Sequence, residues 1–360
     1  MEKSLISWKD AFTEESESRI NLNADKLCCY GIKPLDDALA CIQPNELVVI
    51  GADSGVGKSE MGINIARANA KKGKKVVVYY LEGGHREAMQ RMKYRDLTET
   101  YFKNFAGERI DIDFTGWSTN RISDPKGILN EVEKIMYKDY MEAYKDNLYF
   151  GKIHSEFTID TFRDSLFDRS MLVPGSEKAK YGFHSFDIDL IIIDHLQYFS
   201  LPAGENEIKS ITTIIRAVKQ LTEMERIPVV LMSHLRKKTI DRGIPDQEDF
   251  YGSSNIPKIS STSILIAPDY ENDNFSKSLF PTYLRIAKSR VGVRPSLLIK
   301  VDFDSIKRKY ADDYDMHLVN RKGEVSKKAL DFEKLPIWAR KGKLNKINKD
   351  VGFTKEEPNA

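Results

Sequence analysis

The sequence predicts an α/β fold, a mostly parallel twisted sheet with helices on both faces. Three observations lead there. Short apolar runs alternate along the chain with segments of helical periodicity, the pattern of strand–helix–strand units. The runs "VVVYY", "DLIIID" and "IPVVLMSH" are continuously apolar, which suits strands covered on both faces. The stretch "VVIGADSGVGKSEMG", residues 48–62, passes from one such run through two closely spaced glycines into a helix.

The elements follow in order. Residues 1–27 are polar and charged and form an N-terminal arm; its amphipathic patch, "LISWKDAF", is a candidate subunit-packing helix. "YGIKPLDDALACIQPNELVVIG" holds a short helix started by Pro34, a turn at Pro44-Asn45 and a strand from Glu46. "SEMGINIARANAKKG" is helical and stops near Gly73. "KKVVVYYLEG" is a second strand, with Glu82 at its C-terminal end. Residues 95–150 carry the weakest pattern and are taken as an insertion. Within them a helix starts at Asp124-Pro125, with Leu129, Val132 and Met136 at helical spacing. A strand at "LYFGKIH" and a helix at "TIDTFRDSLFDR" come next. "FDIDLIIIDHLQYF" is the strongest strand of the chain. "NEIKSITTIIRAVKQLTEMER" is an amphipathic helix, and "IPVVLMSH" another buried strand. One domain is therefore expected over residues 28–310. A basic tail is expected over 311–360, with six basic and no acidic residues from Lys334 to Lys349. That tail fits a solvated segment or a nucleic-acid contact.

Composition narrows the class. Among 360 residues, 41% are hydrophobic and 31% charged, as in globular proteins and unlike disordered or fibrous ones. No stretch approaches the ~20 apolar residues of a membrane-spanning helix, so no membrane partner is expected. The N-terminus lacks an apolar signal core, which points to an intracellular protein. Three cysteines (Cys28, Cys29 and Cys41) provide neither a disulfide framework nor zinc-ligand spacing, and reduced thiols are expected. The formal net charge of +2 is too small to indicate nucleic acid by itself.

The glycine turn reads Ala52-Asp53-Ser54-Gly55-Val56-Gly57-Lys58-Ser59, the phosphate-binding P-loop pattern with Ala in its first glycine position. Gly55 and Gly57 allow successive backbone N–H groups to point into one concavity, a nest for phosphate oxygens. Lys58 would reach the β- and γ-phosphates, and the Ser59 hydroxyl would hold Mg²⁺. The following helix points its partly positive N-terminus at the same anion. A simple tight turn needs neither the lysine nor the hydroxyl, so the turn is expected to bind a nucleoside triphosphate. The metal requires a carboxylate at the end of a neighbouring strand, and Asp194, closing "DLIIID", supplies it. Glu82 is the candidate for orienting the attacking water.

In this order the motifs resemble the RecA-type motor domain of DnaB-like hexameric replicative helicases, including phage helicase-primases and Twinkle. The likeness covers roughly residues 30–305. "VVYYLEGGHREAMQRM" is similar to the family strand that ends in the catalytic glutamate, which implies that role for Glu82. "LIIIDHLQYF" resembles the family's Asp-Tyr-Leu-Gln motif, with His195 in the aromatic position and Gln197 retained toward the nucleotide. The strand ending in His234 is similar to the one whose polar end senses the γ-phosphate; the phage enzymes carry His there. "PDQEDFYGSSNIPKISSTSILI" resembles the DNA-binding loop Asp-Leu-Arg-Gly-Ser-Gly. "RIAKSRVGVRPS" resembles the hairpin that carries a catalytic Lys-x-Arg pair, here Lys288 and Arg290; the resemblance implies that Arg290 reaches the γ-phosphate of the neighbouring subunit.

The sequence also departs from the pattern. Phe250-Tyr251 replace the loop's Leu-Arg, and Ser254 replaces its second glycine, so the DNA contact is expected through backbone N–H groups, Lys258 or the aromatic rings. A separate primase or primase-binding domain is expected to be absent. The resemblance implies an ATP-dependent (or other NTP-dependent) DNA helicase acting as a hexameric ring in a bacterial or phage-infected cytoplasm. Single-stranded DNA would pass its centre, held by loops near 200–209 and 237–260. Lys237, Lys238, Arg242, Gly252, Ser253 and Lys258 are the candidate contacts. A primase, a loader or a single-strand-binding protein are implied partners. Two alternatives stay open: a RecA- or KaiC-like ATPase that assembles without unwinding, and an ATP-switched interaction protein.

Overall fold

The computed structural model describes residues 6–20, 27–107, 110–151, 156–166, 188–201, 204, 206–236, 244–269, 278–290, 297–320 and 323–330. Nine strands form one sheet: β1 (Leu47–Ala52), β2 (Val76–Tyr80), β3 (Leu148–Phe150), β4 (Leu190–Asp194), β5 (Val229–His234), β6 (Thr262–Pro268), β7 (Leu279–Ser289), β8 (Leu297–Asp304) and β9 (Lys309–Leu318). Their spatial order is β3-β2-β4-β5-β1-β6-β7-β8-β9. Pairing is parallel from β3 through β6 and antiparallel from β6 through β9. The mostly parallel α/β sheet expected from the sequence is therefore present.

Successive residues of a strand face opposite sides of the sheet, and here both sides are covered. Val48, Ile50, Val76, Val78, Ile192 and Met232 join one core with α2 (Lys33–Leu39) and α3 (Lys58–Lys71). Leu47, Val49, Val77, Ile191, Ile193 and Leu231 join the other, with α7 (Ile159–Leu166) and α8 (Glu207–Glu225). This two-sided burial is the physical reason the strands read as continuous apolar runs. Helix α8 is opened by Asn206, whose side chain accepts from the N–H groups of Ile208 and Lys209. It buries Ile211, Ile214, Ile215, Val218 and Leu221 along one stripe, each contributing about 1.5–3 kcal/mol.

The stretch taken as an insertion is a helical layer. Helices α4 (Gly84–Asn104), α5 (Phe114–Ser118) and α6 (Ile128–Tyr144) close a separate small core around Tyr94, Leu97, Tyr101, Val132 and Met136. Helix α6 begins at Ile128, three residues after the start expected at Asp124-Pro125, and the Asp124 carboxylate accepts from Ile128 N at 2.9 Å and Leu129 N at 2.7 Å. Helix α4 is the element that periodicity did not reveal. Its buried positions include Arg95, Asp96 and Thr98, so polar residues interrupt the apolar stripe.

The terminal segments differ in part from expectation. α1 (Trp8–Ile20) carries the arm's patch, with Trp8 and Phe12 stacked at 5.2 Å and both exposed. Residues 311–318 belong to β9, paired along β8, so the sheet continues past residue 310, where the tail was expected to begin. The basic run Lys334–Lys349 lies outside the described residues. Cys28 and Cys29 are buried, and none of the three cysteines forms a disulfide. No helix among the described residues is long and apolar enough to cross a membrane.

Candidate active site

Ligands of parallel α/β sheets bind beyond the carboxyl ends of the strands, and strand register assembles this site. Ala52 at the end of β1 lies opposite His234 at the end of β5, and Tyr80 at the end of β2 lies opposite Asp194 at the end of β4. Residues 54–59, Glu82 and His234 line one cavity of about 780 Å³, closed on its far side by Arg308 and Tyr310. That volume falls in the range of small-molecule sites.

The glycine turn has the geometry a phosphate cradle needs. Gly55 and Gly57 have φ of 80° and 97°, a region open to glycine and costly for other residues. Gly57 is the N-cap of α3, so Lys58 and Ser59 begin that helix. The Lys58 ammonium donates to Ala52 O at 3.1 Å, Asp53 O at 3.0 Å and His234 Nδ1 at 3.1 Å. Burial lowers its pKa, opposed by the carboxylates of Asp194, Glu82 and Asp53. Within the predicted loop, residues 54–59 face the cavity, whereas Ala52 and Asp53 serve through the carbonyls that hold Lys58.

Asp194 is buried, and both of its carboxylate oxygens lack a hydrogen-bond partner. Burial pushes its pKa up to about 6, with Ser59 and Lys58 pulling the other way. An orphaned buried carboxylate beside a hydroxyl is the donor set a hard cation such as Mg²⁺ accepts. Ser59 and Asp194 therefore fit the metal role assigned to them. Glu82 is half-exposed at the cavity wall, 3.6 Å from His195 Nε2.

Behind the wall runs a hydrogen-bonded chain. His234 Nε2 meets His195 Nε2 at 2.9 Å, and His195 Nδ1 meets Gln197 Oε1 at 3.0 Å. Gln197 Nε2 donates to Ser233 Oγ at 3.0 Å, and its Oε1 also accepts from His234 N at 3.2 Å. Because Lys58 can only donate, one proton arrangement satisfies every link: Lys58 to His234, His234 to His195, His195 to Gln197. Burial holds the His195 pKa down at about 4, helped by His234 and Lys58, and burial also lowers that of His234. Both imidazoles are neutral, as the chain requires. Gln197, expected at the nucleotide, is bonded instead to the groups that orient His234.

The sequence did not single out His195 as a chain member, nor the cluster on the cavity's far side. There Glu60 is held by Arg91 from α4 and by Arg308 from the β8–β9 turn, the latter through Nε at 2.9 Å. Nothing in the sequence links residues 60, 91 and 308, since only the β8–β9 pairing brings Arg308 to α3.

The remaining candidates lie elsewhere. Neither Lys288 nor Arg290 lines the cavity of its own chain. Lys288 Nζ donates to the carbonyls of Pro257, Lys258 and Ser260, and Arg290 is exposed beyond the end of β7. Lys237, Lys238 and Arg242 lie outside the described residues. Ser253 is buried, with its hydroxyl 2.8 Å from Thr212 Oγ1, so it serves the loop's packing on α8. Gly252 sits at φ 89°, and a Cβ there would lie 2.3 Å from Ile211 Cδ1, so it too is structural. Of the two aromatic replacements, Phe250 is fully buried and Tyr251 is 41% exposed. Lys258 is exposed on the short helix α9 (Asn255–Ile259).

Known proteins resemble this chain in sequence and in fold. Over 298 residues the chain is 25% identical to the replicative DNA helicase DnaB of Haemophilus influenzae, covering 79% of this chain and 57% of that protein. It is 22% identical over 238 residues to a probable plasmid replicative DNA helicase of Chlamydia trachomatis, covering 66% of this chain and 46% of that one. The chain spans about half the length of these relatives. Among solved structures, a chain solved as an ATPase domain superposes with a TM-score of 0.64 at 16% identity, covering 85% of this chain and 99% of that one. A DnaB-like replicative helicase, solved in a study of its interactions with primase, superposes with a TM-score of 0.59 at 15% identity, covering 89% and 68%. These superpositions establish the RecA-like fold of replicative helicase ATPase domains. The DnaB-like helicase C-terminal domain model matches residues 29–111 and 172–312, more than half of the sequence, and the chain belongs to that family.

Proposed function

We propose that this chain is the nucleoside-triphosphate-driven motor of a replicative-type DNA helicase, working as a hexameric ring on single-stranded DNA. One observation carries the proposal: in a chain of this family, strand ends bring Lys58, Ser59, Glu82 and His234 to one cavity behind a glycine cradle, with Asp194 buried beside Ser59 and Lys58.

The roles follow from the chemistry of each group. Backbone N–H groups of residues 54–59 take the phosphate oxygens, and Lys58 turns from the carbonyls of Ala52 and Asp53 to the β- and γ-phosphates. Ser59 and Asp194 hold Mg²⁺, which when bound neutralises phosphate charge. Glu82 orients the attacking water from the open side of the cavity. His234, held in one tautomer by His195 and Gln197, presents a polar group to the γ-phosphate. Arg290 completes the site of a neighbouring subunit; an arginine supplied in this way is worth ~10³–10⁵ in rate. In the described part of the DNA loop, Tyr251 and Lys258 are exposed and available to DNA, through base stacking and phosphate contact. A cytoplasmic setting, with a primase, a loader or a single-strand-binding protein as partners, belongs to the same proposal.

Strand displacement on a forked duplex, measured beside ATPase turnover with and without single-stranded DNA, tests it. Unwinding and DNA-stimulated turnover are expected, and Glu82→Gln should bind nucleotide without turning it over. Turnover stimulated by DNA without unwinding would replace the helicase by an assembling ATPase. Absence of turnover would leave an ATP-switched interaction protein.

A further inference from the structure

A second cavity, of about 430 Å³, opens where α3, α4 and the β8–β9 turn meet. It shares no lining residue with the P-loop cavity, and the turn stands between the two: Arg308 lines the first, Lys307 and Lys309 the second. Its wall is basic. Arg67 of α3 and Arg95 and Lys103 of α4 line it together with the two lysines, and Glu99 is the one carboxylate among the described lining residues. Arg95, Glu99 and Lys103 recur every four residues, so α4 presents them along one face. Lys307 Nζ lies 4.6 Å over the Phe102 ring, which holds that ammonium at the cavity.

The nearby carboxylates are largely taken. Asp96 accepts from Arg67 Nε at 2.8 Å, Lys71 Nζ at 2.6 Å and the Tyr144 hydroxyl at 3.0 Å. Glu99 is bound by Arg67 and lies 3.6 Å from Lys71. Lys307 and Lys309 reach Asp304 and Asp312 at 3.4 Å and 3.7 Å, ion pairs near the surface that hold their partners weakly. Arg95 is left over. It is 8% exposed, its Nε has no hydrogen-bond partner, and its ion pair with Glu99 spans 3.9 Å, beyond hydrogen-bond reach. Burial and the charge of Arg67 lower its pKa to about 10, so it stays protonated at neutral pH.

A buried guanidinium without acceptors costs free energy, and an unmatched buried donor marks the place of a water or an ion. With four further cations around the same space, an anion is favoured there over a neutral water. Guanidinium groups offer paired N–H donors that match phosphate oxygens, and lysines add point charges. The cations come from three separate elements, so two linked phosphoryl groups meet more of them than one does.

We propose that this cavity is a second anion site, which takes a pyrophosphate group, free or carried by a nucleotide, between the arginines of α3 and α4 and the lysines of the β8–β9 turn. The site goes beyond the helicase reading and does not depend on it.

Calorimetric titration of the full-length protein with inorganic pyrophosphate, at constant free Mg²⁺ and with the P-loop filled beforehand by a non-hydrolysable ATP analogue, tests the proposal. One equivalent should bind to the wild type. Arg95→Met should abolish that binding, and Lys103→Gln and Lys307→Gln should each weaken it about tenfold, as expected for one lost charge in a partly screened site. Affinity for the analogue should stay within twofold in all three variants, which also shows that they are folded. Should Arg95→Met fail to fold, the lysine variants decide, since both side chains lie at the surface. Absence of binding, or binding that the variants keep, would overturn the proposal. Displacement by sulfate at equal concentration would reduce the site to a general cationic surface and overturn it too. Titration with ADP separates the sources, counting only the heat that Arg95→Met removes: tighter binding than pyrophosphate assigns the site to a nucleotide, weaker binding to the free ion, and either outcome supports it. If the analogue itself does not bind, the helicase reading fails, and pyrophosphate titration of the same variants still decides the second site.

Discussion

Replacing His195 by Phe tests the hydrogen-bonded chain behind the cavity. The ring is retained, so the edge-on contacts of His195 with Tyr198 and His234, at centroid distances of 4.7 Å and 4.1 Å, keep a partner of similar shape. Both nitrogens are lost. His234 Nε2–H loses its acceptor at 2.9 Å, while Gln197 Oε1 still accepts from His234 N at 3.2 Å. An unpaired buried donor costs about 1–3 kcal/mol. His234 is only partly buried, so water offsets part of this and the lower end, ~1 kcal/mol, is expected for stability. The rate should respond more strongly. With its outer nitrogen unpaired, the His234 ring turns to find water, and loss of one oriented hydrogen bond to the transferring phosphoryl group corresponds to a ~10-fold fall in kcat. Urea unfolding and steady-state ATPase turnover measure the two effects separately. His195→Gln is the control, since its amide can accept from His234 and donate to Gln197, and it should recover most of the rate. A folded His195→Phe protein that turns over within twofold of wild type would refute the assigned role of the chain.

Three further outcomes are expected. Phe250→Ala removes a fully buried ring and should destabilise the fold by about 3–5 kcal/mol in urea unfolding, whereas Tyr251→Ala should leave the unfolding midpoint nearly unchanged and weaken single-strand binding; the reverse pattern would exchange their roles. Lys58→Ala and Arg290→Ala should each be nearly inactive, and ATPase activity should reappear in verified mixed rings. Failed recovery together with a linear loss in wild-type rings doped with Arg290→Ala would rule out an arginine supplied in trans. Burial pushes the Cys28 thiol up to about 12 and raises that of Cys29, so a disulfide reagent should label the less buried Cys41 first in native protein and the other two on unfolding. Fast native labelling of Cys28 would contradict its burial.

The local chemistry of this protein was legible in its sequence because it depends on neighbours in the chain. The cradle at residues 52–59 needs glycines at two positive-φ positions, then a lysine and a hydroxyl at the start of a helix, and that spacing is written in one octapeptide. Strands buried on both faces announce themselves as apolar runs, so β1, β2, β4 and β5 and the parallel sheet were readable too. Asp194, Glu82 and His234 were found because each ends such a run or closely follows one.

Long-range register decided the rest. Opposing Ala52 to His234 and Tyr80 to Asp194 places four strand ends around one cavity, and no local pattern encodes which strands pair. The same pairing turns Gln197 toward His195 and His234 instead of the cavity. It also carries Arg308 from the β8–β9 turn to Glu60 of α3, across a separation invisible to periodicity. The loop at 250–260 shows the limit most clearly. Phe250 and Tyr251 are adjacent aromatic residues that sequence could not rank, and packing places one in the core and leaves the other exposed. Lys288 reads as the catalytic partner of Arg290, and its contacts are the three carbonyls at the end of α9. A side chain's type and spacing state what it can bind; the tertiary structure selects among its partners, because only folding brings the competing ones within hydrogen-bond reach.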